Sequence, residues 1–119
     1  MYSAQLLDHF QNPRNAGEIA GADATAEVQN PACGDILRVT LKTSGGKIAS
    51  MQFKAKGCVA SIACASALTE LVEGKAIAEA KRLGHEDLSR AVGGLPPASN
   101  HAAQLALDVL SLALRRLEQ

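Results

Sequence analysis

The sequence predicts an α+β fold with an N-terminal helix, a three-stranded antiparallel meander sheet and C-terminal helices packed on one face of that sheet. Apolar and polar residues alternate over three short segments, the hydrophobic period lengthens to about 3.6 residues after Cys58, and glycine or proline separates the segments. The 119 residues and their 47% hydrophobic content fit a single domain, residues 1–119, with one core.

The first helix is predicted from the four-residue spacing of Tyr2, Leu6 and Phe10. It should end before Pro13, because the residue that precedes a proline avoids helical dihedral angles. A polar connector follows, and the strands come after it. Alternation predicts half-buried strands at residues 24–29, 36–42 and 49–56.

Two tight reversals should connect the strands. Gly45 and Gly46 supply the positive φ angles of a short hairpin turn, so the second and third strands should pair antiparallel. The connection at residues 30–35 is too short for a crossover helix and predicts a second reversal. This reversal places Cys33 and Asp35 at an edge of the sheet.

The second half of the sequence predicts helices. Small apolar residues recur at helical spacing from Cys58 until Gly74 ends the pattern, which puts Cys58 where a strand becomes a helix. Two shorter helices are predicted at residues 76–83 and 86–92, and the glycines and prolines of residues 93–97 break the chain. The last helix carries a polar stripe opposite a broad apolar face. The stripe contains Gln104, Asp108, Ser111, Arg115 and Glu118.

Composition argues against several functions. Twelve basic residues balance twelve acidic residues, so nothing favours binding to nucleic acid or to an anionic membrane. No stretch approaches the ~20 apolar residues of a membrane span, and the start has no basic region followed by an apolar run. Three cysteines are an odd number and lack the dense spacing of a small secreted, disulfide-bonded protein, so free thiols in a reducing compartment and a cytoplasmic protein are expected.

Four residues are candidate metal ligands. Cys33 and Cys58 lie next to glycines at strand ends, Asp35 follows Cys33 by two positions, and His101 lies at the start of the last helix. Thiolate, carboxylate and imidazole are ligands that zinc or a thiolate-bound iron centre accepts. Spacing alone also allows buried core thiols and an ordinary solvated histidine. Cys64 is predicted to be core, because it lies among alanines inside a helix and cannot share a helical face with Cys58.

Local sequences add a resemblance. Four segments resemble the IscU/NifU family of iron-sulfur cluster assembly scaffolds, in the same order along nearly the whole chain. They are residues 7–15 with an NPRN turn, residues 30–35 similar to NPxCGD, residues 57–66 similar to GCxxxxASxS, and residues 95–97 with His101 similar to LPPxKxHC.

The resemblance implies a scaffold, and not an enzyme, that receives sulfur from a cysteine desulfurase, combines it with iron and passes a [2Fe-2S] cluster to acceptor apo-proteins. It implies Cys33, Asp35, Cys58 and His101 as ligands of the cluster or of iron, with zinc as an alternative metal in the cluster-free form. Cys33 and Cys58 would accept the sulfur. A monomer or weak homodimer is expected.

Two positions depart from the family pattern. Ala102 stands where the family has a third cysteine, and Ser99 stands where many relatives have the lysine that a dedicated chaperone reads, so chaperone recognition is not expected. Two alternatives therefore stay open. The chain could be a zinc-dependent persulfide acceptor that partners a cysteine desulfurase, or a degenerate member that keeps the fold and assembles nothing.

Overall fold

The computed structural model describes residues 2–31 and 34–118. The elements follow one another as α1 (Ala4–Gln11), β1 (Ala24–Gln29), β2 (Ile36–Ser44), β3 (Lys47–Lys56), α2 (Val59–Val72), α3 (Ile77–Ala80), α4 (His85–Ala91), a 3₁₀ turn (Pro97–Ser99) and α5 (Asn100–Leu117). The predicted α+β order is confirmed.

The three strands form an antiparallel meander in the order β1-β2-β3. The β1–β2 register pairs Gln29 with Ile36, and the β2–β3 register pairs Ile36 with Lys56. One end of the sheet therefore holds both the β1–β2 connection and the exit of β3. At the opposite end Gly45 and Gly46 have φ of 57° and 77°, which is the left-handed pair that a two-residue hairpin loop requires.

Helices α2 and α5 cover one face of the sheet. Helix α5 packs on β1 and β2, α2 packs on β3, and the two helices touch each other. Between the helices and the sheet lies a core of aliphatic side chains and many alanines, and the small alanines let the backbones approach closely. The five residues of the predicted polar stripe on α5 are all exposed, which confirms that assignment.

The turn after α1 is fastened to α2 by side-chain hydrogen bonds. The N–H of Arg14 donates to Oγ of Ser66 at 2.9 Å, and the side-chain amide of Asn15 donates to Oγ1 of Thr69 at 3.2 Å. Nδ1 of His9 lies 2.7 Å from the same Ser66 hydroxyl. Ser66 and Thr69 are fully buried, so these contacts satisfy polar groups that would otherwise be costly inside the core.

Element boundaries differ from the predictions in three places. The strands β2 and β3 extend directly to the Gly45–Gly46 turn, because the turn needs only two residues. Helix α3 ends at Ala80 and not at Leu83, because the N–H groups of Arg82 and Leu83 bond three residues back and tighten the end into a 3₁₀ turn. Helix α4 begins one residue early and ends one residue early, within the usual variation at helix ends.

Candidate metal centre

Asp35 is the last residue before β2. The connection that leads to it is closed by two backbone hydrogen bonds, from the N–H of Asn30 to the carbonyl of Asp35 at 2.8 Å and from the N–H of Gly34 to the carbonyl of Asn30 at 2.7 Å. Gly34 has a φ of 77°, a conformation that favours glycine. Asp35 is only 5% exposed. A buried carboxylate requires polar partners or a metal, so the groups around Asp35 are the first candidates for a metal centre.

Cys58 lies close to Asp35, at the junction between β3 and α2. It is the N-cap residue of α2, with extended backbone angles, and it is exposed. Gly57 precedes it and packs directly against Asp35, since a Cβ atom added at Gly57 would lie 2.6 Å from Cγ of that aspartate.

His101 completes the group from α5. Its Nε2 lies 3.8 Å from Sγ of Cys58, and Sγ lies 3.5 Å from Oδ2 of Asp35. The ligand atoms of the three residues all lie within 4.8 Å of one another. Two ligand atoms on one tetrahedral zinc ion lie ~3.3–3.6 Å apart, which follows from metal–ligand distances of ~2.0–2.3 Å. The three side chains therefore need little movement to bind one ion.

Ser61 is a member of the centre that sequence reasoning missed. It lies in the first turn of α2, and its hydroxyl donates to Oδ2 of Asp35 at 2.5 Å. The hydroxyl oxygen of Ser61 also lies 3.2 Å from Sγ of Cys58. The residue is buried, with 4% exposure. Its signal in the sequence is the three-residue step from Cys58, which puts both side chains on one face of a helix.

Cys33, the fourth predicted ligand, lies outside the described residues. The structure thus brings together Asp35, Cys58 and His101, and leaves the position of Cys33 untested. The three described ligands come from the β1–β2 connection, the β3–α2 junction and the start of α5, which meet at one end of the sheet.

Comparison with known proteins identifies the family. The family model of the NifU-like N terminal domain matches residues 1–119. The chain belongs to this family. It is 42% identical over 114 residues to an iron-sulfur cluster assembly scaffold protein IscU of Archaeoglobus fulgidus, an alignment that covers 96% of this chain and 74% of that protein. It is 38% identical over 118 residues to a Drosophila melanogaster protein named iron-sulfur cluster assembly enzyme IscU, covering 96% and 76% respectively.

A solved structure agrees with the fold of this NifU-like domain. The crystal structure of the N-terminal part of a nitrogen-fixing NifU-like protein from Brucella abortus superposes with a TM-score of 0.79 at 22% identity, covering 98% of this chain and 93% of that chain. The resemblance predicted from the four motifs is confirmed. One relative is named a scaffold and another an enzyme, so the expectation that this chain is not an enzyme stays a prediction.

The two cysteines that the structure describes differ in their chemistry. Cys64 has no exposed surface, and burial, assisted by the nearby Cys58, raises the pKa of its thiol to about 12. A thiol with this pKa is protonated at neutral pH, and a protonated thiol is a poor nucleophile and a poor metal ligand. The prediction that Cys64 belongs to the core is confirmed.

Position 102, where the family pattern has a cysteine, holds a buried alanine. Ala102 is 1% exposed and lies within the hydrophobic core, whereas its neighbour His101 is exposed. Within residues 2–31 and 34–118, Cys58 is therefore the one thiol within reach of the centre. No helix in this part of the chain is long and apolar enough to cross a membrane.

Proposed function

We propose that this NifU-like domain is a scaffold on which a labile [2Fe-2S] cluster is assembled from iron and from sulfur supplied by a cysteine desulfurase, before transfer to acceptor apo-proteins. The observation that carries the proposal is the convergence of Asp35, Cys58 and His101 at one end of the sheet. Relatives of the same family are named iron-sulfur cluster assembly proteins, which supports this reading of the ligand set.

The proposed ligands are Cys33, Asp35, Cys58 and His101. Three of them already lie close together. Cys33 precedes Asp35 by two positions in the sequence, which supports its place in the set. Thiolates bind iron firmly, whereas a carboxylate and an imidazole should hold a cluster less firmly. Such a mixed set suits a protein whose cargo must leave.

Cys58 is also a proposed sulfur acceptor, together with Cys33. Its thiolate would attack the outer sulfur of a persulfide on the desulfurase, the sulfur–sulfur bond would break, and the desulfurase cysteine would leave as a thiolate. The exposure of Cys58 supports this role, because an incoming persulfide must reach Sγ. In keeping with these roles, we propose a non-enzymatic carrier in the cytoplasm, acting as a monomer or weak homodimer.

One observation favours a second candidate, a zinc-dependent persulfide acceptor. The separations of Sγ of Cys58 from Asp35 and His101, 3.5 and 3.8 Å, are near those of ligands on one tetrahedral zinc ion. In this version zinc would occupy the centre, and the protein would hand on sulfur without building a cluster.

The deciding experiment measures iron, zinc and acid-labile sulfide in protein purified anaerobically. The native chain is compared with single alanine variants of Cys33, Cys58, His101 and Cys64, each checked for folding by circular dichroism. Cys64→Ala is the matched control, because it removes a thiol that the structure buries away from solvent.

Iron and sulfide that are present in the native chain and in Cys64→Ala, but lost from the other three variants, are the expected result. Zinc alone with the same dependence, and no cluster formed on reconstitution with iron and sulfide, would favour the persulfide acceptor instead. A folded native chain that holds no metal and forms no cluster on reconstitution with iron and sulfide would refute both functions. It would favour the remaining alternative, a degenerate family member that keeps the fold and assembles nothing.

A further inference from the structure

We propose that Ser61 is a positioning residue that holds the Asp35 carboxylate in place for the incoming metal. This inference rests on the proposed metal centre and assigns a role to a residue outside the ligand set. Ser61 lies three residues after Cys58, so the rigid first turn of α2 carries a ligand and the group that orients a second ligand.

The hydroxyl of Ser61 occupies a point between the two ligands. It donates a 2.5 Å hydrogen bond to Oδ2 of Asp35, and its oxygen lies 3.2 Å from Sγ of Cys58. Oδ2 also lies 3.5 Å from that thiol. A hydrogen bond to a charged acceptor is short and strong, so this contact fixes which carboxylate oxygen faces the thiol.

Gly57 fixes the other carboxylate oxygen. A Cβ atom at this position would lie 2.6 Å from Oδ1 of Asp35, closer than unbonded atoms approach. The carboxylate thus rests against bare backbone on one side and accepts the Ser61 hydrogen bond on the other. Its rotation is restricted before any metal arrives, because Ser61 and Asp35 are both buried.

Restricting a ligand in advance raises metal affinity, because less conformational freedom is lost on binding. Changes to groups that hydrogen-bond metal ligands typically reduce metal affinity by about 10- to 100-fold. We expect a loss of this size when the Ser61 hydroxyl is removed, and the loss should depend on the presence of the carboxylate.

The test is an anaerobic titration of the full chain with Co²⁺, followed by the thiolate-to-cobalt charge-transfer band. Ser61→Ala should bind Co²⁺ about 10- to 100-fold more weakly than the native chain, and Ser61→Thr, which restores a hydroxyl, should bind nearly as tightly as the native chain. Ser66→Ala is the matched control. It removes another buried serine hydroxyl of α2, one that contacts His9 and Arg14, and should lower stability while reducing Co²⁺ affinity far less than Ser61→Ala does.

A double-mutant cycle separates positioning from general destabilisation. Adding Ser61→Ala to Asp35→Ala should cause no further loss of Co²⁺ affinity, because there is no carboxylate left to position. Native affinity in folded Ser61→Ala would overturn the inference, and so would an equal loss in both backgrounds.

Should the alanine variant not fold, loss of Co²⁺ binding by a folded Ser61→Thr protein would overturn it. A native chain that binds no Co²⁺ would instead refute the metal centre itself, and the positioning role with it.

Discussion

Replacing Gly57 by alanine tests the geometry of the centre most directly. The new Cβ would lie 2.6 Å from both Cγ and Oδ1 of Asp35 and 3.0 Å from its Cβ. Carbon atoms in contact prefer ~3.5–4.0 Å, so the aspartate side chain must move by about 1 Å. Gly57 lies outside the left-handed region of backbone conformation, and so the expected effect comes from lost space and not from backbone strain.

A shift of about 1 Å is large for this carboxylate. It would lengthen the 2.5 Å hydrogen bond from Ser61 beyond the usual range for hydroxyl donors. Overpacking of this kind typically costs ~1–3 kcal/mol, and we expect the free energy of unfolding to fall by an amount in that range. Metal affinity should fall by about 10- to 100-fold, because a displaced ligand must be brought back before it can bind.

The assay combines urea unfolding with the Co²⁺ titration. Gly84→Ala is the matched control, because a Cβ at Gly84 would meet nothing within 4 Å and the residue has an extended φ of −131°. This variant should keep native Co²⁺ affinity. Native affinity in folded Gly57→Ala would show that the carboxylate is not held against this glycine, and so would an undiminished effect of the same change in an Asp35→Ala background.

Three further predictions concern Asp35, Ala102 and His9. Asp35→Ala should weaken binding of a first metal ion yet lengthen the half-life of an assembled cluster, measured by visible absorption with a chelator present, because exchange at a labile oxygen ligand is lost; an unchanged half-life would exclude Asp35 as a ligand. Ala102→Cys should also lengthen that half-life by restoring the family's third thiolate, at an overpacking cost of up to ~3 kcal/mol because Ala102 is buried; native behaviour in the folded variant would contradict this. Burial, assisted by Arg14, lowers the pKa of His9 from 6.5, so the unfolded chain takes up this proton first and the free energy of unfolding should decrease as the pH falls below 6.5. His9→Gln should flatten that slope in urea titrations, and an unchanged slope would exclude His9 as its source.

The sheet could be predicted from sequence because its physical causes are local. Alternating burial along β2 and β3 follows from one face packing on helices, and it leaves a pattern of period two in the residues themselves. The Gly45–Gly46 turn then sets the pairing, because only a tight turn with two positive φ angles joins these strands. Helix α3 was predicted too long because the hydrophobic pattern does not distinguish α-helical bonding from the three-residue hydrogen bonds that end it at Arg82 and Leu83.

The convergence of the ligands could not be predicted from spacing. Asp35 and Cys58 are 23 residues apart, and Cys58 and His101 are 43 residues apart, so no local pattern relates them. The family resemblance suggested the set, and the packing of α5 beside α2 explains why His101 reaches the thiol. The role of Ser61 could not be predicted from sequence, because a small polar residue in a helix shows no metal-site pattern and its contact with Asp35 depends on the fold.

Helix α2 connects these observations physically. Its first turn carries Cys58 and Ser61, while Ser66 and Thr69, further along the same helix, bind the turn that follows α1. A shift of α2 along its axis would therefore disturb the metal centre and the N-terminal attachment together. Metal binding should in turn favour the position of α2 in which both are satisfied, because a ligand that binds only the native arrangement stabilises it. By this argument metal should protect the amide of Arg14, whose N–H bonds to Ser66, from hydrogen exchange, even though that residue takes no part in the centre.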